Sequence, residues 1–226
     1  MSTAWAQDVD EFGVVLDERA KDTARPTPQN IAVEVRFGPY EPSLPTTPQG
    51  NFGDLLGRGR RVMVGIEGDW QALRIPKLLS LGPGVGIAYT RLHNQVYGKA
   101  GYEATLKFTP QWMWAVMRLD VLQQRWDIPL VFVGKLGGAR ASWWATNTVG
   151  SPSKTSGSTQ GLAWALGAMF DLGFLEPARA RHLDQISGVN HMYLFWEWYR
   201  FKLDDFGNRP DLLGDSTWTM GWALDM

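Results

Sequence analysis

Eight stretches of two-residue alternation, a content of 12 tryptophans and 25 glycines, and no apolar run near 18 residues point together to one architecture. It is an all-β fold, an eight-stranded antiparallel up-and-down transmembrane β-barrel. Alternation puts successive side chains on opposite faces of a strand. Tryptophan is favoured where one end of a side chain is dry and the other wet. The missing apolar run excludes a spanning helix. A mean hydropathy of −0.22 fits a barrel, because only half of each strand need be apolar.

The strands follow in order. Ile31, Val33, Val35 and Phe37 alternate with Ala32, Glu34 and Arg36. Val62, Val64, Ile66 and Trp70 share a face against Arg61, Glu67, Asp69 and Gln71. Val85, Ile87 and Tyr89 alternate with Gly84, Gly86, Ala88 and Thr90. Leu106, Phe108, Trp112, Trp114 and Val116 oppose Thr105, Lys107, Thr109 and Gln111, with Pro110 removing a ladder donor. A weaker fifth strand sets Leu130, Phe132 and Leu136 against Lys135, Gly137 and Ala139. The sixth is clean: Leu162, Trp164, Leu166, Phe170 and Leu172 against Gly161, Ala163, Ala165, Gly167 and Asp171. The seventh, HMYLFWEWYRFKL, carries Glu197 among aromatics and splits into Leu194, Trp196 and Trp198 against Tyr193, Phe195, Glu197 and Tyr199. The eighth sets Trp218, Met220, Trp222 and Leu224 against Thr217, Thr219, Gly221 and Ala223.

Volume decides which face is wet. An eight-stranded barrel has a bore only wide enough for its own side chains. The bulky faces would overfill it, so Val35, Trp70, Trp112, Trp114, Trp164, Leu166, Trp196, Trp198, Trp218 and Trp222 are expected to face lipid or form an interfacial girdle. The slim set, with its charges, is expected inside. Glu34, Arg36, Glu67, Asp69, Lys107, Lys135 and Glu197 then form a lumen network in which each buried charge meets the opposite sign.

An even strand number puts both termini on one side, expected to be the periplasm. Longer connections at 38–59, 91–101, 146–159 and 204–216 are expected on the other side, facing outward. Pro177, Leu183, Ile186 and Gly188 mark one short helix between strands six and seven. Residues 1–30, acidic and then proline-rich, are expected to form an exposed tail before a barrel domain over 31–226. Ala4-Trp5-Ala6 has the small-x-small form of a signal-peptide cleavage site and reads as the remnant of a truncated precursor (positions 1–6), chance occurrence being the alternative.

Several chemistries are excluded or disfavoured. A net charge of −1 with no basic run argues against nucleic acid as partner. The absence of cysteine removes disulfides and thiolate metal sites. Glu67, Asp69 and Glu197 read as members of an ion-pair network rather than a metal site, no histidine joining them. GPGVG at 82–86 reads as a turn with lumen-facing glycines, since no helix follows it. No cofactor and no catalytic residue is expected. One alternative is a soluble, lipocalin-like binder of an apolar ligand, with the greasy face inward; a soluble β-sandwich is another. A third is a lipid-modifying enzyme using Ser187, His191 and Asp184.

Four segments carry a resemblance: VRFGPYEPSLP at 35–45, RLDVL…WDIPLVFVGKLG at 118–137, FLEPARARHLDQISGVNHMYLFWE at 174–197 and STWTMG at 216–221. With them the chain resembles a family of small outer-membrane β-barrel proteins from myxobacteria, over most of residues 31–226. Thr46 stands where that pattern carries an acidic residue, and Met226 where outer-membrane barrels usually end in an aromatic. The resemblance implies an outer-membrane barrel of a Gram-negative bacterium and no defined activity. Outer-membrane lipid and the barrel-assembly machinery are the expected partners, and the barrel is expected to be a monomer.

Overall fold

Alternating β-branched and aromatic residues suit a pleated surface packed on one side. Eight such strands form: β1 Ile31–Tyr40, β2 Arg61–Trp70, β3 Leu79–Gln95, β4 Glu103–Leu119, β5 Leu130–Asn147, β6 Ser153–Asp171, β7 His191–Lys202 and β8 Asp215–Asp225. This computed structural model describes residues 30–42, 46–47, 50–51, 61–95, 103–147, 153–175, 187–211 and 213–226. Each strand pairs antiparallel with its chain neighbours, and β1 pairs with β8, so the sheet closes. Arg36 faces Gly221 across that closure, and Glu34 faces Glu67 across β1–β2.

β1 begins and β8 finishes at the same end of the barrel, where Asn30 N–H donates to the Met226 carbonyl at 2.9 Å. At this end a three-residue strand, Leu73–Ile75, folds onto the start of β3. A short helix, α1 Val121–Trp126, joins β4 to β5, stopped by Asp127 in the left-handed region. At the opposite end Thr46–Thr47 pairs with Gly50–Asn51. The expected tail over 1–29, much of the loops expected to face outward and most of the helix expected over 177–188 lie outside the described residues.

β3 to β6 run to 17–19 residues while the other strands have 10–12. The last β6–β7 partners are Leu162 and Lys202, so β6 continues beyond β7 toward its loop. One side of the wall therefore stands taller than the other. The β3–β4 ladder lapses between the Ile87–Gln111 and Thr90–Phe108 pairs, beside Pro110, which has no N–H to donate. The register is the same on both sides of the gap.

Seven strands orient as their alternation predicts. Val35, Trp70, Leu166, Trp196, Trp198 and Trp222 are exposed on the outer wall, and Leu166 reaches 61%. Trp164 and Trp218 share that face, half-buried. Ala163, Ala165 and Glu197 are buried inside.

β4 is inverted relative to expectation. Trp112 and Trp114 are 4% and 2% exposed, inside the bore with Leu106, Phe108 and Val116. Lys107 is exposed on the outer wall, where Arg91 and Trp144 are its cross-strand partners. The reason is packing between neighbours. β3 offers Gly84, Gly86 and Ala88 to the bore, and β5 offers Ala139 and Ala141. The bulky face of β4 fills the volume these leave, as close packing requires. At Gly86 any Cβ would overlap the Trp112 indole.

Candidate functional site

The bore has three levels. Toward the loops, Tyr40, Phe108, Tyr199, Phe201, Leu203 and Leu213 are buried together, and the Tyr40 hydroxyl donates to the Leu213 carbonyl. This plug closes the loop end. At mid-height the alternation of β1, β2, β5 and β7 delivers Glu34, Arg36, Glu67, Lys135 and Glu197 to one point, all at most 3% exposed.

Lys135 Nζ lies 2.7 Å from Glu34 Oε2, 2.8 Å from Glu67 Oε1 and 2.7 Å from Glu197 Oε1. Arg36 Nη2 reaches Glu34 Oε2 at 2.5 Å and Glu67 Oε2 at 2.8 Å, and Nη1 lies 3.4 Å from Glu197 Oε2. Glu67 also accepts the indole N–H of Trp112 at 2.6 Å and of Trp114 at 3.0 Å. The Arg36 guanidinium lies over the rings of Trp112, Trp114 and Phe195, 5.3, 5.7 and 5.6 Å from their centroids. Glu197 therefore sits among aromatics because its strand turns that position toward two cations. The inward tryptophans do two things there: they fill space and donate to a carboxylate, which lipid cannot accept.

Below this level Arg118 pairs with Asp69 Oδ2 at 2.6 Å, Asp225 Oδ1 at 2.8 Å and Glu34 Oε1 at 3.3 Å. Glu34, Glu67 and Asp69 have carboxylate oxygens within 4.8 Å of one another, a spacing open to a metal ion. Arg36, Lys135 and Arg118 already lie against those oxygens, so the chain's own cations stand where a metal ion would.

Of the seven charges expected in the lumen, six converge and Lys107 does not. Arg118 and Asp225 join them unforeseen. Both were legible: Arg118 is in phase with the bulky face of β4, and Asp225 with Thr217, Thr219, Gly221 and Ala223. Placing the β4 face inward would have brought Arg118 in with it.

At the end where β1 begins and β8 finishes, the bore holds a cavity of about 330 Å³. Its wall is drawn from Gln71 and Arg74 after β2, Arg118 and Asp120 at the end of β4, Gln123 and Gln124 on α1, and the start of β7. His191 Nδ1 lies 2.7 Å from Asp171 Oδ2, which also accepts from Gln123 Nε2 at 2.6 Å. The Tyr193 hydroxyl donates to Gln123 Oε1 at 3.4 Å. These bonds tether α1 across the mouth. Burial pushes the Asp120 carboxyl up from its ordinary value, against the opposing pull of Arg118 and Arg74. The His191–Asp171 pair has the form of an oriented base, yet the lining residues include no serine, threonine or cysteine to serve as a nucleophile. Of the enzyme alternative, Asp184 lies outside the described residues, and the carboxylate beside His191 is that of Asp171.

No protein-family model matches this chain, and no curated protein matches it. Solved structures do resemble it. Ail, the attachment invasion locus protein of Yersinia pestis, in complex with the heparin analogue sucrose octasulfate, aligns over 88% of this chain and 97% of its own, with 13% identity and a TM-score of 0.48. The outer membrane protein OprG from Pseudomonas aeruginosa aligns over 88% and 97%, with 10% identity and a TM-score of 0.47. Neisserial surface protein A aligns over 87% and 97%, with 12% identity and a TM-score of 0.45. At such identities and scores, the reading of this chain rests on its own geometry.

Proposed function

We propose that the chain is an integral outer-membrane β-barrel with a side-chain-filled bore and a structural or surface-interaction role rather than a catalytic one. One observation carries this: an apolar belt circles the outside while the charges are inside. Val64 and Ile66 on β2, Val85 and Ile87 on β3, Met113 and Met117 on β4, and Phe132 and Leu136 on β5 are exposed. Leu162 and Leu166 on β6, Leu194 and Trp196 on β7, Trp222 on β8 and Val35 on β1 complete the ring. A soluble protein rarely exposes so continuous an apolar surface. The ten residues of β2 rise about 25 Å at a tilt of about 40°, the height of a lipid-facing band.

The belt ends where the outer wall of β3 to β6 turns polar, at Gln111 and Arg140 and then Arg91 and Lys107. This supports an orientation with the termini in the periplasm and the taller wall rising above the outer leaflet. Closure pairs every strand of the belt on both sides, as hydrocarbon demands of a spanning sheet. It also leaves no strand edge there to pair, which supports a monomer inserted by the barrel-assembly machinery. The resemblance to the myxobacterial barrel family supports the same assignment. A lipocalin-like binder needs an apolar hollow, and here the bore holds ion pairs and packed rings.

The test is fractionation of the native precursor with heat-modifiable gel mobility. Recovery in the outer membrane with a mobility shift on boiling is expected. Monodisperse protein in detergent-free buffer would overturn the assignment.

A further inference from the structure

We infer that the outer face of the taller wall, where it clears the apolar belt, is a binding surface for the phosphorylated headgroup of a glycolipid in the outer leaflet. The outer-membrane assignment, with the taller wall outward, is the premise; the class of lipid lying against β3 to β6 is what the surface adds to it.

Arg91 on β3, Lys107 on β4, Arg140 on β5 and Lys154 on β6 are all exposed on this wall. The register sets Arg91 directly opposite Lys107, and Lys107 directly opposite Trp144. Like charges facing each other across neighbouring strands destabilise a sheet. Arg91, Lys107 and Lys154 make no ion pair among the described residues, and Arg140 donates to Ser158 Oγ at 3.1 Å. The acids described at the loop end lie elsewhere: Glu41 follows β1, Asp204, Asp205 and Asp211 lie between β7 and β8, and Asp215 begins β8. On the taller wall Glu103 begins β4, about 14 Å along the strand from Lys107. Between the cations the face carries small polar residues, Thr109, Ser142 and Ser156, together with Tyr89 and Trp144, 48% and 50% exposed. Exposed cations beside aromatics, next to an apolar belt, suit an anionic membrane surface.

Height selects the kind of lipid. On each strand the last exposed aliphatic side chain marks the edge of the hydrocarbon. Arg91 comes four residues beyond Ile87, Arg140 four beyond Leu136, Lys107 six beyond Met113 and Lys154 eight beyond Leu162. A strand tilted by about 40° gains about 2.6 Å of height per residue, so the charges stand roughly 10–20 Å above that edge. The headgroup layer of a phospholipid leaflet is only about 5–8 Å deep. A headgroup built of phosphorylated sugars is deeper. Its phosphates reach the cations, which bind them by charge-assisted hydrogen bonds, and its sugars lie beside Tyr89 and Trp144.

The test uses the full-length barrel refolded in detergent micelles and counts bound lipid by native mass spectrometry. Bis-phosphorylated lipid A, the same lipid stripped of its phosphates, and phosphatidylglycerol are each titrated in. Saturable retention of bis-phosphorylated lipid A is expected, with the other two each weaker by about tenfold or more. Arg91→Gln combined with Lys107→Gln should weaken lipid A by about tenfold or more. Lys77→Gln combined with Arg125→Gln, which removes the same charge from exposed positions at the other end of the barrel, should leave it unchanged. Equal retention of phosphatidylglycerol overturns the inference, since any anionic lipid would then serve. So does an equal loss in the two double variants, or a soluble sulfated oligosaccharide binding as tightly as lipid A, which would mark a polyanion site independent of the membrane. If the Arg91 and Lys107 variant does not refold, Arg140→Gln and the dephosphorylated lipid decide. Insertion of the parent into phosphatidylcholine vesicles is read alongside. Insertion without a preference for lipid A sinks this inference alone, and failure to insert sinks the membrane assignment with it.

Discussion

Replacing Lys135 by methionine would leave Glu34, Glu67 and Glu197 converging on a point with no ammonium between them. Breaking a buried charge cluster from one side destabilises by about 3–5 kcal/mol, because the remaining charges stay desolvated. Urea unfolding of Lys135→Met in lipid vesicles should show that loss. Adding Glu197→Gln should recover part of it, since the two groups share one network and their effects are not additive. Gly86 has a different role: its missing Cβ is the space into which Trp112 lies. Gly86→Leu should cost about 1–3 kcal/mol by overpacking and shift the tryptophan emission. Asp120 works against stability. Its folded-state carboxyl is held above its ordinary value by burial, so the folded form binds the proton more tightly than the unfolded chain. Stability therefore falls as pH rises through the carboxylate range toward neutrality. Asp120→Asn should be as stable as the parent at low pH and more stable at pH 7, as pH-dependent unfolding would show.

Along a single strand, the test of orientation is one pair of substitutions to the same residue. Leu166 lies on the outer face of β6 within the belt, and Gln111 lies on the outer face of β4 at its upper limit. Leu166→Arg should destabilise the barrel in bilayers by about 2–4 kcal/mol, and Gln111→Arg by about 1 kcal/mol or less. Equal effects would mean that the belt does not end where the polar residues begin. Pro110 is tolerated in β4 because the ladder to β3 lapses beside it, while the pair with Ala141 on β5 is kept. α1 arises where the two-residue period stops: Asp120 precedes VLQQRW, and Asp127 and Pro129 follow it. That pattern is a helix start and stop. Its glutamines rather than any apolar face dock it, Gln123 holding Asp171 and Tyr193 and Gln124 accepting from the Lys77 backbone N–H at 2.8 Å.

Among the described residues, the bore is filled toward the loops by rings and at mid-height by ion pairs, and a cavity remains at the end where β1 begins and β8 finishes. Planar bilayers containing the refolded protein should therefore show no stepwise conductance. Steady open-channel currents would mean that the plug of Tyr40, Phe108, Tyr199 and Phe201 does not close the bore.

The alternation of side chains along the chain was enough to establish eight strands, their up-and-down order and the outward face of seven of them. Strand formation and amphipathic phase are local properties, written in neighbours one and two positions apart. The phase also placed Glu34, Arg36, Glu67, Asp69, Lys135 and Glu197 on inner faces before any contact was known. It could not decide which face of β4 is inner, because bulky and slim faces alternate there in the same period whichever way the strand turns. That choice belongs to the closed ring, where glycines and alanines of β3 and β5 leave a volume that only Trp112, Trp114 and Phe108 fill, and where Glu67 supplies the acceptor the indoles need. The mouth cavity was equally out of reach: Gln71 follows β2, Arg118 and Asp120 end β4 and His191 begins β7, and only closure of the barrel brings them to one rim.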